Sequence, residues 1–430
     1  MLDDQSSRYD RLRHQTKTPG TQLTISRGSA VRSWAGGLEE HGTDRVMTAD
    51  SAVPIGSITK VFTAVLVLAL VADDEVELDA PIRRYLRALR GTPIGGVSVR
   101  QLLTHTSGVV NEPPGAEAVA HSVPRYLQAV AACGTLHEPG SAFSYANAGS
   151  SILGAVAAEV TGMSWQEAVD AIVLAPLGIT PRFVTGGKRA HACGHAVNAA
   201  TGRVRPVDQG VGLAQAAAGG LACSADDLVK LGRALLEGGR QTALDEVDFA
   251  AMLVPEPSAK PVGLADAWGL SLARYDIAET SWWGHDGMAT GTSCHLRIHP
   301  SEDVVVAFTA NATSGHEMWR ALLPVLEDQG IVVGEHHPPT PTKAALRAVD
   351  GYAGDYRNGD TDYRIVARGR DLVLVVDDEP SARLVLAEDG VFALCDPHSG
   401  KSVQTGLFLA GADNSVAGLQ IAGRVARKVS

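Results

Sequence analysis

Pro54-Ile55-Gly56-Ser57-Ile58-Thr59-Lys60 is the stretch on which the reading of this chain turns. Pro54 and Gly56 break what precedes them and an apolar run over residues 61–72 follows, so a helix is expected to begin near Ser57. Three positions separate Ser57 from Lys60, which places both side chains on one helical face. A serine hydroxyl becomes a strong nucleophile only when a neighbour takes its proton, and a helix N-terminus favours the negative charge that then develops. Lys60 suits that task where burial or a nearby positive field lowers its pKa. Taken alone, the same spacing also describes a helix cap followed by a surface lysine.

The flanking segments predict an α+β fold. Residues 21–26 and 30–35, joined by Arg27-Gly28-Ser29, read as an antiparallel hairpin, and the chain from Ser57 to about Gly239 is dominated by helix-length apolar segments. Strand character returns at residues 269–275, 290–298 and 304–310, followed by a helix over 316–328. Opening and closing strands are therefore expected to meet in one antiparallel sheet, with flanking helices and an inserted helical region. His336, His337, Pro338, Pro339 and Pro341 form a stiff joint, which divides the chain into domains at 1–335 and 345–430. Beyond it, segments 363–367, 372–376, 383–386, 392–395 and 403–409 alternate with turns, the pattern of a small antiparallel β-barrel whose closure removes exposed edges.

Composition narrows the function. With 430 residues, 45% hydrophobic positions and a formal net charge of -11, the chain lacks the basic stripe that a phosphate backbone requires, so nucleic acid is not expected as a partner. The 61–72 run is shorter than the ~20 residues of a bilayer span, and the first 17 residues lack a basic start followed by an apolar run, so no membrane partner and a cytoplasmic location are expected. Five cysteines without a Cys-x-x-Cys pair read as reduced, buried thiols. His191, Cys193 and His195 cluster, but no second group completes four ligands, so the stretch reads as a loop and no metal or cofactor is expected.

Two further motifs give Ser57 and Lys60 their meaning. Ser144-Tyr145-Ala146-Asn147 offers a phenol that can relay a proton and an amide that can orient a lysine or a substrate, in a turn before a helix over 150–160. Gly284-His285-Asp286-Gly287 precedes a predicted strand, and its glycines let a substrate backbone approach closely. In order and type the three sets resemble the Ser-x-x-Lys, Tyr-x-Asn and Lys-Thr-Gly motifs of penicillin-binding proteins and class C β-lactamases, over roughly residues 20 to 330. Leu102-Leu103-Thr104-His105-Thr106-Ser107-Gly108 is similar to another segment common in these serine hydrolases.

The resemblance implies that Ser57 carries a covalent acyl group, that Lys60 and Tyr145 share general-base and general-acid work, and that Asn147 positions groups. His285 takes the place of the third-motif lysine, and the backbone N–H groups of Ser57 and Met288 form the oxyanion hole. Trp283, Gly284, Asp286 and Gly287 are then candidate substrate contacts. Trp282 and Trp283 admit two readings, walls of a dry amine-binding groove or packing within the strand. A histidine is mostly uncharged at neutral pH, unlike lysine, which argues against β-lactamase or carboxypeptidase activity. Residues 267–270, 283–287 and 293–297, with the β domain, look most like stand-alone penicillin-binding-protein-type thioesterases, which release and macrocyclise nonribosomal peptides. They also look like the transacylase of capuramycin biosynthesis. The implied partners are a small-molecule or peptidyl acyl donor and an amine acceptor, with a carrier protein as a further candidate; esterase, D-peptidase and β-lactamase activity are the alternatives.

Overall fold

The computed structural model describes residues 2–184, 191–336, 350–369, 371–376, 379–387, 390–396, 401–411 and 415–429. The opening hairpin is β1 (Gly20–Arg27) and β2 (Ala30–Gly37), turning at Gly28 with φ +56°, a left-handed value that glycine adopts without strain. Later strands are β3 (Ala267–Trp268), β4 (Ala273–Ile277), β5 (Thr280–Ala289), β6 (Thr292–His299) and β7 (Val304–Ala310). Among the described residues these seven form one sheet in the order β2-β1-β7-β6-β5-β4-β3. Antiparallel pairing of β1 with β7, Leu23 opposite Phe308, joins the two ends of the catalytic region as expected.

Alternate strand residues feed two cores, because successive side chains point to opposite faces. Cys294, Leu296, Ile298, Val305 and Ala307 face the inserted helical region, where helix α2 (Thr59–Ala72) is buried almost all round. Val306, Phe308 and Ala310 face a layer made by α1 (Leu2–Gln15) and α6 (Gly315–Glu327), through Tyr9, Met318, Trp319 and Leu322. Between these helices in the chain lie α3 (Asn147–Thr161), α4 (Ala216–Gly219) and α5 (Ala225–Glu237).

Two local expectations change, and one element is new. The strand expected at 269–275 begins only at Ala273, because a tight turn with Ser271 at φ +59° separates β3 from β4 and Gly269 N–H donates to Leu272 O at 2.8 Å. Gly284 to Gly287 precedes the expected strand, β6, but itself lies inside a further strand, β5, that pairs with it. The polar segment at the start of the chain is helix α1.

The C-terminal part closes as an eight-stranded antiparallel barrel: β8 (Gly354–Asn358), β9 (Thr361–Arg368), β10 (Asp371–Val376), β11 (Glu379–Leu386), β12 (Val391–Cys395), β13 (Ser402–Ala410), β14 (Val416–Ile421) and β15 (Arg424–Lys428). Tyr356, Ile365, Phe392, Phe408 and Leu419 pack together as its core. His337, Pro338, Pro339 and Pro341 of the proposed joint lie outside the described residues. Among the described residues, no helix is long and apolar enough to cross a membrane.

Candidate active site

Ser57 sits in a 3-10 turn (Gly56–Ile58) that runs into α2, so the α-helix proper begins just after the serine. Lys60 is 1% exposed, and its Nζ donates to Ser57 Oγ at 3.1 Å and to Ala218 O at 2.7 Å. Burial, with the charge of Arg424 second, lowers Lys60 from 10.5 to about 7. The wall carrying Ala218 is pinned to the same helix. Thr63 Oγ1 donates to Ala217 O at 2.8 Å, and Leu221 N–H donates to Thr59 Oγ1 at 3.2 Å.

The third motif reaches Ser57 by an interlock of two backbones. A Cβ on Gly56, which has φ +52°, would lie 2.4 Å from Met288 O, and one on Gly287 would lie 1.9 Å from Ile55 O. Only glycines allow this approach, and it sets the backbone of Met288 against that of Gly56, one residue before Ser57. Gly284 has a different reason to be glycine: a Cβ there would strike Leu296 O on β6 at 1.9 Å. Trp283 is buried in the main core, while Trp282 donates its Nε1–H to Val332 O at 2.9 Å on the other face. Asp286 turns its carboxylate to the face opposite His285 and accepts from His295 and Arg297, each at 2.7 Å.

The second motif is a short stretch held from several sides. His105, in the left-handed region at φ +54°, accepts Ser144 N–H on its carbonyl at 2.7 Å and Ala146 N–H on Nδ1 at 3.3 Å. Asn111 accepts from Asn147 N–H on Oδ1 at 3.2 Å and from Ala148 N–H on its carbonyl at 2.9 Å, so Asn147 opens α3. The barrel supplies the rest. Tyr145 N–H donates to Gly423 O at 2.8 Å, Val425 N–H donates to Ser144 Oγ at 3.1 Å, and Gln420 Nε2 donates to Phe143 O at 2.7 Å. Asn358, also of the barrel, accepts Asn111 N–H on Oδ1 at 2.9 Å.

Ser57, Lys60, Tyr145 and His285 thus come together, with Trp268 packed against both Tyr145 and His285. The Tyr145 hydroxyl stands 3.4 Å from His285 Nε2, and Lys60 Nζ lies 5.2 Å from the centre of the Tyr145 ring. Burial raises Tyr145 above its ordinary value, and burial with the charge of Lys60 lowers His285 to about 4. His285 is therefore a neutral acceptor near pH 7, and its Nδ1–H, donating to Asp286 O at 2.6 Å, leaves Nε2 bare toward the phenol.

The family model for beta-lactamase matches residues 7–330. The chain belongs to the beta-lactamase family. Penicillin-binding protein 4 of Amycolatopsis lactamdurans is 29% identical over 322 residues, 71% of this chain and 84% of the relative. The crystal structure of SurE matches with TM-score 0.89 and 37% identity over 99% of this chain and 98% of that one; SurE with D-Leu gives 0.87 and 36% over 99% of each. A class C beta lactamase from Rhodobacter sphaeroides shares the fold at TM-score 0.62 and 20% identity, covering 75% of this chain and 99% of its own.

Within this family of serine hydrolases and acyltransferases, the site carries a cation that the motifs do not foretell. Arg424, at the start of β15, holds its guanidinium 5.3 Å from the centre of the Tyr145 ring, and its buried Nε has no hydrogen-bond partner among the described residues. Nothing in the run Ala422-Gly423-Arg424-Val425 marks it, since a Gly-Arg turn between two strands is ordinary. Elsewhere His195 serves the scaffold: Nδ1–H donates to Asn311 O at 2.7 Å and Nε2 accepts from His41 N–H at 3.0 Å.

Proposed function

We propose that this chain is a serine acyltransferase that takes a peptidyl thioester or ester onto Ser57 and releases it to an amine, as in macrocyclisation or amide formation in natural-product biosynthesis. Lys60, neutral in a large fraction of molecules at pH 7, accepts the Ser57 proton as Oγ attacks the donor carbonyl. The N–H groups of Ser57 and Met288 hold the oxyanion, a contribution of about 3 kcal/mol for each such donor. Tyr145 keeps its proton at neutral pH and hands it to the leaving group, and the proton on Lys60 returns to Tyr145 once the tetrahedral intermediate collapses. In the second half, an amine attacks the acyl carbonyl and gives up a proton to the same Lys60 and Tyr145 pair; as the tetrahedral intermediate collapses, the bond from the acyl carbon to Ser57 Oγ breaks and that pair returns the proton to Oγ.

The observation that carries this reading is the exchange of cations: neutral His285 fills the third-motif position, while the fixed charge comes from Arg424 on the barrel. A site so arranged lacks the third-motif lysine that holds a β-lactam carboxylate. It presents Arg424 to a donor carbonyl or carboxylate instead, and the donor amide is assigned to Asn147 at the start of α3. Likeness along the whole chain, barrel included, to SurE, a protein solved with D-Leu, supports an amino-acid or peptide substrate.

Peptidyl thioesters with a free N-terminal amine, simple esters and a chromogenic cephalosporin, each followed by mass spectrometry, test the proposal. Cyclic or amide product from the thioester is expected, because a positioned amine has a high effective concentration. Linear acid from every donor, even with millimolar amine present, replaces transfer by hydrolysis, and rapid cephalosporin turnover restores a β-lactamase reading.

A further inference from the structure

We infer that Arg297 is a positioning residue for the active site, acting from the far face of the sheet through the carboxylate of Asp286; this rests on the roles proposed for His285 and Met288. Arg297 on β6 is fully buried, with its guanidinium 4.0 Å from the centre of the Tyr275 ring. It donates Nη1–H to Asp286 Oδ1 at 2.7 Å, Nη2–H to Glu335 Oε1 at 2.6 Å and Nε–H to Gly334 O at 3.3 Å. Trp319 of α6 gives its indole N–H to the same Glu335 oxygen at 2.9 Å, and His295, stacked at 4.7 Å on Trp319, gives Nδ1–H to Asp286 Oδ1. One cation thus ties β5, β6, the end of the catalytic region and, through shared partners, α6.

Asp286 is where this clamp meets the chemistry. Its carboxylate belongs to the back of the sheet, while its backbone carbonyl receives the Nδ1–H of His285, whose ring lies on the front, and so fixes which ring nitrogen faces Tyr145. Two residues on lies Met288, whose N–H is the second oxyanion donor. A rotation of the peptide at 286 therefore moves the His285 tautomer anchor and the oxyanion hole together. Ser293 Oγ, 3.2 Å from His295 Nε2, completes a Ser-His-Asp sequence of contacts, but at 2% exposure under α6 it meets no substrate. A fully buried guanidinium holds its place only where its donors are paired, and here Nη1, Nη2 and Nε each have an acceptor.

Asp286→Asn keeps the shape and an acceptor oxygen but removes the charge that holds the two donors. In the full-length chain we expect the folded variant to acylate Ser57 ~100-fold more slowly with KM unchanged, the scale of a misplaced catalytic group. Nitrogen-15 NMR of the histidine rings is expected to show a single Nδ1–H tautomer for His285 in the native protein and a mixture in the variant. Arg297→Met should lose at least as much rate, and Arg297→Lys, which restores the charge without the fork, should recover part of it. If Arg297→Met does not fold, Asp286→Asn carries the test. A folded Asp286→Asn with native acylation and one tautomer overturns the inference, as does a rise in KM alone, which would put the carboxylate on the substrate. Failure of the native chain to acylate Ser57 would instead undo the functional reading and leave the tautomer experiment to judge the clamp.

Discussion

The two segments that meet at Ser57 are held in opposite ways. The third motif, Gly284 to Met288, lies within a strand, is hydrogen-bonded to β4 and β6, and is backed by the buried Arg297. The second motif, Phe143 to Asn147, is a short stretch leading into α3, and three of its residues are hydrogen-bonded to the barrel: Phe143 and Ser144 accept from Gln420 and Val425, and Tyr145 N–H donates to Gly423 O. One half of the site is therefore as stable as the sheet, while the other is only as well placed as the barrel is docked. The β-barrel lies directly against the second motif and carries Arg424 to the Tyr145 ring.

Adding a Cβ to each half should separate stability from activity. Gly284→Val puts carbon against the Leu296 carbonyl, a backbone atom with nowhere to move, so we predict a loss of about 3 kcal/mol or more in denaturant unfolding. Gly423→Val, at φ +67° and within 3.1 Å of Leu264 and Phe143 side chains, should push the barrel turn off the second motif. Its expected signature is acylation slowed ~100-fold with little change in catalytic-region stability. A Gly423 variant that stays active would mean the barrel does not hold Tyr145.

Charge gives a sharper test of the same division. Acylation needs neutral Lys60, so its rate should fall as pH drops through about 7, and fall further as His285 gains a proton near pH 4. Arg424→Met removes one cause of the Lys60 shift, and the midpoint of the upper limb should move to higher pH. An unmoved midpoint would assign the shift to burial alone. The smallest effect is expected from Gln420→Ala, which deletes a donor to Phe143 O and Lys260 O: about 5-fold in acylation, the worth of ~1 kcal/mol for one hydrogen bond.

What the sequence made legible follows the range of the interactions. Ser57 with Lys60 is readable because three residues on a helix turn fix the contact, and Tyr145 with Asn147 because the motif is short. The sheet and the closed barrel follow from alternating apolar patterns and turn residues. Strand β5 escaped notice because Gly284 and Gly287 look like turn formers, whereas tertiary crowding by Leu296 and Ile55 demands them. Arg424, Gly423, Asn358 and Gln420 gave no local signal, since what they do depends on how the barrel seats against residues far away in the chain. Helix α1 is polar along most of its length and is defined by the layer it packs against through Tyr9.

The central claim is that Ser57 is the nucleophile and Lys60 its base. Incubation with a fluorophosphonate or an activated ester, followed by peptide mass mapping, should place the adduct on Ser57, abolish it in Ser57→Ala and slow its formation by several orders of magnitude in Lys60→Ala. An adduct on another serine, Ser293 with its His295 and Asp286 neighbours above all, or undiminished labelling of Lys60→Ala, would contradict it.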